Sequence, residues 1–139
     1  MFVVYPAIFY KDLASNAYVV IFPDLDNGAT EGEDINDAYF MAQDYIGSWL
    51  YDYFIEMKEL PKASNILDLK LEDDEYSDLS KSFISLVGID LAEYVKQADK
   101  RTVRKNISIP SYLNEMGITK GVNFSQILQD ALKDEFNIN

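Results

Sequence analysis

The chain has neither cysteine nor histidine among its 139 residues. Without them there is no disulfide framework, no zinc ribbon and none of the usual structural or catalytic zinc sites. A Ser-His-Asp triad is impossible, as is any histidine general base. Long apolar runs are missing too, and no stretch approaches the ~20 residues that a membrane span needs. The opening Met1-Phe2-Val3-Val4-Tyr5-Pro6 has no basic region, and Pro6 breaks its apolar run, so it does not read as a secretion signal. Gly28 and Gly32 lack the lysine and spacing of a phosphate-binding loop. These absences lead to the expectation of a soluble, cytoplasmic protein with no metal site and no cofactor.

Against these absences, the chain is 48% hydrophobic, with Tyr 10, Phe 8 and Trp 1, enough to build a core rather than remain disordered. Its net charge of −12 is unevenly spread. Residues 1–99 hold 6 basic and 20 acidic side chains, a balance of −14, whereas residues 100–139 hold 6 and 4, a balance of +2. Such asymmetry between halves suggests two different partners. The sign changes near Lys96–Arg101, so we expect one domain over 1–97 and a second over 98–139.

Phe2–Tyr10 and Ala17–Phe22 are rich in β-branched and aromatic residues and flank the polar Lys11–Asn16, the pattern of a β-hairpin. Pro23 closes the second strand, and Asn27-Gly28 is a turn signal before a short strand near Ala29-Thr30. Asp34 can cap a helix whose Ala38, Met41, Ala42, Tyr45, Ile46, Trp49, Leu50 and Tyr53 form one apolar stripe. That helix should end before Pro61 and lie on the hairpin. Asn65–Ser80 reads as an acidic surface loop, Ser82–Ile89 as a returning strand, and Asp90–Lys100 as a partly helical connector.

In the last forty residues, Val103, Ile107 and Ile109 alternate with Arg104, Asn106 and Ser108 until Pro110 stops the strand. A short helix from Ser111 carries Leu113 and Met116. Asn123 then caps a second helix with an apolar stripe of Phe124, Ile127, Leu128, Ala131 and Leu132. One strand and two short helices cannot bury a core alone. Two copies could pair their strands into an antiparallel ribbon and share one four-helix core built on Ile107, Ile109, Leu113, Phe124, Ile127, Leu128 and Leu132. A two-stranded ribbon fits the DNA major groove, where Arg suits guanine and Asn suits adenine. An αα-hairpin behind an edge strand, or a helix-turn-helix over 111–136, are the alternatives, and the strand before Pro110 argues against the second.

These residues resemble the ribbon-helix-helix family at Arg104–Pro110 and at Gly121–Leu132. The resemblance implies that Thr102, Arg104, Lys105, Asn106 and Ser108 meet operator DNA, with Asn123 and Ser125 at its backbone. Farther upstream, Tyr5-Pro6-Ala7-Ile8-Phe9, Phe22-Pro23-Asp24-Leu25, Thr30-Glu31-Gly32 and Ser82–Val87 are similar to the HicB antitoxin family. Members commonly carry Pro-Gly where this chain has Asp26-Asn27. The resemblance implies an α+β fold, with a partial ribonuclease-H-like sheet and packed helix before a ribbon-helix-helix module. It also implies a HicA-type, RNA-cleaving toxin as partner, operator DNA as a second, and a homodimer, any higher heterocomplex being left open. Asp24, Glu31 and Glu33 are candidate toxin contacts, each with a solvated-face reading beside it. The strand interiors hold no acid, so no metal-dependent nuclease cluster is visible and no enzyme is expected. The other functions left open are a ligand-sensing repressor and an enzyme with a DNA-tethering tail.

Overall fold

A computed structural model describes residues 1–138 and divides into two compact units, Met1–Ala98 and a second from Asp99 onward. In the first, the expected hairpin is β1 (Phe2–Asp12) antiparallel to β2 (Tyr18–Phe22), in the register Ile8↔Ile21 and Tyr10↔Val19. The Asp12 carboxylate holds the link by accepting from the Ala14 N–H and the Ser15 hydroxyl. β3 (Gly28–Gly32) adds beside β2, and β4 (Ser77–Asp90) pairs with β1, giving an antiparallel sheet in the order β3-β2-β1-β4.

The turn into β3 falls one residue before the Asn27-Gly28 pair. Its central residues are Asp26 and Asn27, both left-handed (φ 60° and 52°), and the Gly28 N–H donates to the Leu25 carbonyl at 3.2 Å. Asp and Asn tolerate this conformation better than most side chains. Gly28 serves a different need, because a Cβ there would stand 1.5 Å from the Tyr45 hydroxyl.

α1 (Ile35–Ile55) starts where Asp34 accepts from the Asp37 N–H at 2.8 Å. Ala38, Ala42, Ile46 and Leu50 recur at helical spacing and bury completely in a core with Tyr5, Ala7, Phe9, Val20, Phe22 and Val87. Full burial of a side chain such as Leu50 stabilises the fold by about 1.5–3 kcal/mol. The helix stops ahead of Pro61 through left-handed Met57 (φ 55°), with Met57 and Lys58 N–H groups donating back to the Phe54 and Tyr53 carbonyls. α2 (Leu91–Ala98) follows β4 directly and adds Leu91 and Val95 to the same core.

Two features differ from the surface loop expected over Asn65–Ser80. A 3-10 turn forms at Ile66–Asp68, capped by the Asn65 side chain, and β4 begins at Ser77 rather than Ser82. The extra residues pair with Lys11 and Asp12 across a register shift after Phe9, and the Lys11 N–H donates to Ser82 Oγ at 2.9 Å. The pairing is made by backbone, so the polar side chains there give no alternating signal. The segment before β4 also lies on the sheet's outer face, where the Glu72 N–H donates to the Tyr10 hydroxyl at 3.0 Å. Both faces of mid-β1 are thereby covered, and Tyr5–Tyr10 are all buried.

The second unit contains α3 (Ser111–Lys120) and α4 (Phe124–Glu135). Gly121 ends α3 in the left-handed conformation (φ 73°), and Asn123 caps α4 by accepting from the Gln126 N–H at 3.0 Å. The strand expected over Val103–Ile109 is not formed within the single chain; residues 101–110 carry no regular secondary structure. A strand needs a neighbour for its ladder, and the four-stranded sheet of the first unit does not include this segment.

Candidate functional site

In the second unit the residues expected to meet DNA all lie on open surface. Thr102, Arg104, Lys105, Asn106 and Ser108 are exposed in the irregular segment before α3, as are Asn123 and Ser125 at the start of α4. Arg101, just before them, makes a two-point contact with Asp99, its Nε and a terminal guanidinium nitrogen at 2.9 and 2.8 Å from the two carboxylate oxygens. The residues expected as a shared core are exposed as well, with Ile107 at 56%, Ile127 at 54% and Leu132 at 45%. Ile109, Leu113 and Phe124 are likewise exposed, and Leu128 is half-buried. Among the described residues of this unit, the only buried one is Gly117, a residue with no side chain. It lets the helices approach, since a Cβ there would stand 2.3 Å from the Phe124 ring. Apart from half-buried Leu128, the apolar stripe of this unit faces water.

In the first unit the three candidate carboxylates separate. Asp24 holds the chain together: its carboxylate accepts from the Ser64 N–H at 2.9 Å and also from the Ser64 hydroxyl. It also lies near Tyr5, whose hydroxyl donates to the Pro61 carbonyl at 2.6 Å. Burial first, then the charges of Asp24 and Tyr53, raise the Tyr5 pKa above its ordinary 10.0. Glu31 and Glu33 stay exposed, Glu31 on the edge strand β3 and Glu33 in the turn before α1. Among the described residues no group of three or more Asp or Glu side chains is placed to hold a metal ion.

A surface that the sequence did not signal wraps the free edge of β4. Tyr5, Ala7 and Phe9 face α1, so Phe2 and Val4 face outward, as does Leu86, whose cross-strand partner is Pro6. With Phe40 of α1 they line a hollow of about 850 Å³, and Asp44, Asp90 and Glu93 stand around it. Phe40 falls off the core stripe of α1, and the others come from distant segments. An apolar residue off the stripe was the only sequence clue.

Comparison with known proteins supplies the family. The pattern described as the HicB-like antitoxin of bacterial toxin-antitoxin systems matches residues 5–123. The chain belongs to the HicB-like antitoxin family. It is similar to a chain in a toxin-antitoxin complex from Streptococcus pneumoniae, at 36% identity and a TM-score of 0.63, covering 97% of this chain and 99% of that one. The antitoxin HicB of Burkholderia pseudomallei shares the fold at 24% identity, with a TM-score of 0.50 over 94% of this chain and 96% of that one. An uncharacterised 14.9 kDa protein from the rep-hol intergenic region of Haemophilus phage HP1 is 28% identical over 109 residues, 78% of this chain and 74% of that protein.

Proposed function

We propose that this HicB-like antitoxin neutralises a HicA-type, RNA-cleaving toxin through its first unit and represses its own operon through its second. The observation that carries the reading is the split of charge and exposure. The first unit is acidic and builds its own core, while the second combines a basic segment that has no regular secondary structure with an apolar stripe left in water.

Two copies of the second unit would pair residues 103–109 into a ribbon and bury Ile107, Ile109, Leu113, Phe124, Ile127, Leu128 and Leu132 together. Pairing answers both needs of this unit at once, the missing ladder and the exposed stripe. Side chains alternate along a strand, so burying Ile107 and Ile109 turns Thr102, Arg104, Asn106 and Ser108 outward to base edges. Lys105 and the start of α4 at Asn123 and Ser125 then meet phosphates. The Asn123 side chain already accepts from Gln126, which leaves the earlier backbone N–H groups to do so.

For the toxin, the support is electrostatic and comparative. A protein that handles RNA presents positive charge, and an acidic partner speeds its capture and matches its surface. The Streptococcus pneumoniae relative was solved as a toxin-antitoxin complex. Glu31 and Glu33 remain candidate contacts, whereas Asp24 is engaged with Ser64. The role is stoichiometric occlusion rather than catalysis.

Co-expression with the product of the adjacent gene tests the first half: a tight complex with a small basic protein that is toxic alone is expected. Operator titration tests the second. Arg104→Ala should weaken specific binding by about 1–3 kcal/mol and relax preference at one base pair. An equal fall on operator and random DNA would remove the base-reading role. Specific DNA binding with no protein partner would point instead to a ligand-sensing repressor.

A further inference from the structure

The outer face of the sheet is finished unevenly. At one end the segment before β4 comes against it, with Leu69, Lys70 and Glu72 lining the same hollow as Ile8, Tyr10 and Ile21. At the other end nothing among the described residues covers Phe2, Val4 or Leu86, which are 69%, 40% and 49% exposed, and Phe40 beside them is 65% exposed. Large apolar side chains gathered on one open surface mark an interaction site.

The surface is shaped before any partner arrives. Gly88 lets the outer residues lie flat across β4, since a Cβ there would come within 2.6 Å of the Phe2 ring and 3.3 Å of Val4 Cγ2. Gly47 does the same for α2, where a Cβ would stand 2.5 Å from the Tyr94 ring. Tyr94 thus rests on α1 and donates its hydroxyl to Asp44 at 3.0 Å. The charged side chains lining the hollow are Asp44, Asp90 and Glu93. Two of them already face a cation of this chain, Asp90 the Met1 ammonium at 3.6 Å and Glu93 the Lys96 Nζ at 3.7 Å, both as exposed surface pairs that a partner's charge can replace. An apolar centre with a polar rim is the ordinary anatomy of a protein interface.

We propose that the toxin docks on this β4-edge surface, seating an apolar side chain among Phe2, Val4, Phe40 and Leu86 with lysine or arginine against the carboxylate rim. This rests on reading the chain as an antitoxin that binds a basic toxin, and adds where it binds. Charge selects the occupant. A second copy of the acidic first unit would bring like charge to the same rim, whereas a basic protein is drawn to it. The openness of the surface favours a protein over a small ligand, which needs a pocket that encloses it. The partner enters as a helix or loop rather than as an added strand. Two edge carbonyls of β4 already accept from α1: Leu86 from the Tyr39 hydroxyl at 3.4 Å, and Gly88 from Gln43 Nε2 at 2.9 Å.

The test uses the full chain purified with the product of the adjacent gene. Phe40→Gln with Leu86→Thr keeps helix and strand preference while removing the apolar centre. The dissociation constant should rise by about thirtyfold or more, as for loss of two anchors, with the far-UV melting curve unchanged. Phe40→Gln alone, on an exposed helical position, should give about tenfold. Glu93→Lys should slow association and flatten its salt dependence. Failure of the wild-type chain to bind that protein overturns the antitoxin reading and the docking site with it. A wild-type complex that the double variant retains within twofold overturns the docking site alone. So does a double variant that changes only self-association, or one that binds normally while Glu31→Lys with Glu33→Lys does not.

Discussion

The two units solve the problem of burying apolar surface in opposite ways. The first places Phe9, Phe22, Leu25, Ile46, Leu50 and Leu91 out of contact with water, between one sheet and the helices α1 and α2. The second has no buried apolar side chain among its described residues, yet α4 carries a side-chain cap at Asn123 and an apolar stripe, and α3 ends on left-handed Gly121. Local signals can therefore be complete where a core is not. Helix propensity and capping specify an element, while stability comes from what the element packs against.

The contrast can be broken by mutating each stripe. Leu50→Ala, at a fully buried position, should destabilise the first unit by about 2–5 kcal/mol whatever the protein concentration, as read by urea melts. Ile127→Ala, at a 54% exposed position, should act differently. We expect its cost to appear as a shift in the concentration at which copies separate, measured by sedimentation. A concentration-independent loss at Ile127 would mean that the second unit folds alone and that the contrast is false. A smaller effect sharpens it. Asn123→Ala removes the side-chain cap of α4 and should cost about 1 kcal/mol in either associated or separate copies, because the bond is local.

Much of the first unit was legible because its signals are periodic. The hairpin showed as two apolar runs about a polar link, and α1 as a capped stripe ending ahead of Pro61. The first five residues of β4 were not legible: Ser77, Asp78, Ser80 and Lys81 are polar, and the pairing is made by backbone across a bulge. Nor was the role of Asp24, because its partner Ser64 is 40 residues away and nothing in the intervening pattern brings them together. The β4-edge surface failed for a related reason. It joins residues from β1, α1, β4 and α2, and periodicity reports only one element at a time.

The finest test of the contrast is alkaline titration, because the raised tyrosines all belong to the first unit. Burial raises the pKa of Tyr5, Tyr45 and Tyr94 above the ordinary 10.0, helped by Asp24 and Tyr53 at Tyr5, by Asp26 at Tyr45 and by Asp44 at Tyr94. Each of these hydroxyls also donates a hydrogen bond that its ionisation would remove, to Pro61, Leu25 and Asp44 respectively. A tyrosine whose folded pKa lies above its unfolded value favours the fold while it is neutral. The contribution is complete below pH 10 and disappears as pH climbs through the folded values. Phenolate absorbance should therefore lag the curve for free tyrosine, and its late phase should coincide with loss of the first unit's structure by circular dichroism. Tyr94→Phe, which leaves no hydroxyl to ionise at that position, should delay that loss slightly. If the late phase survived removal of residues 1–98, its origin would lie in the second unit, and the difference in self-sufficiency drawn between the two would have to be redrawn.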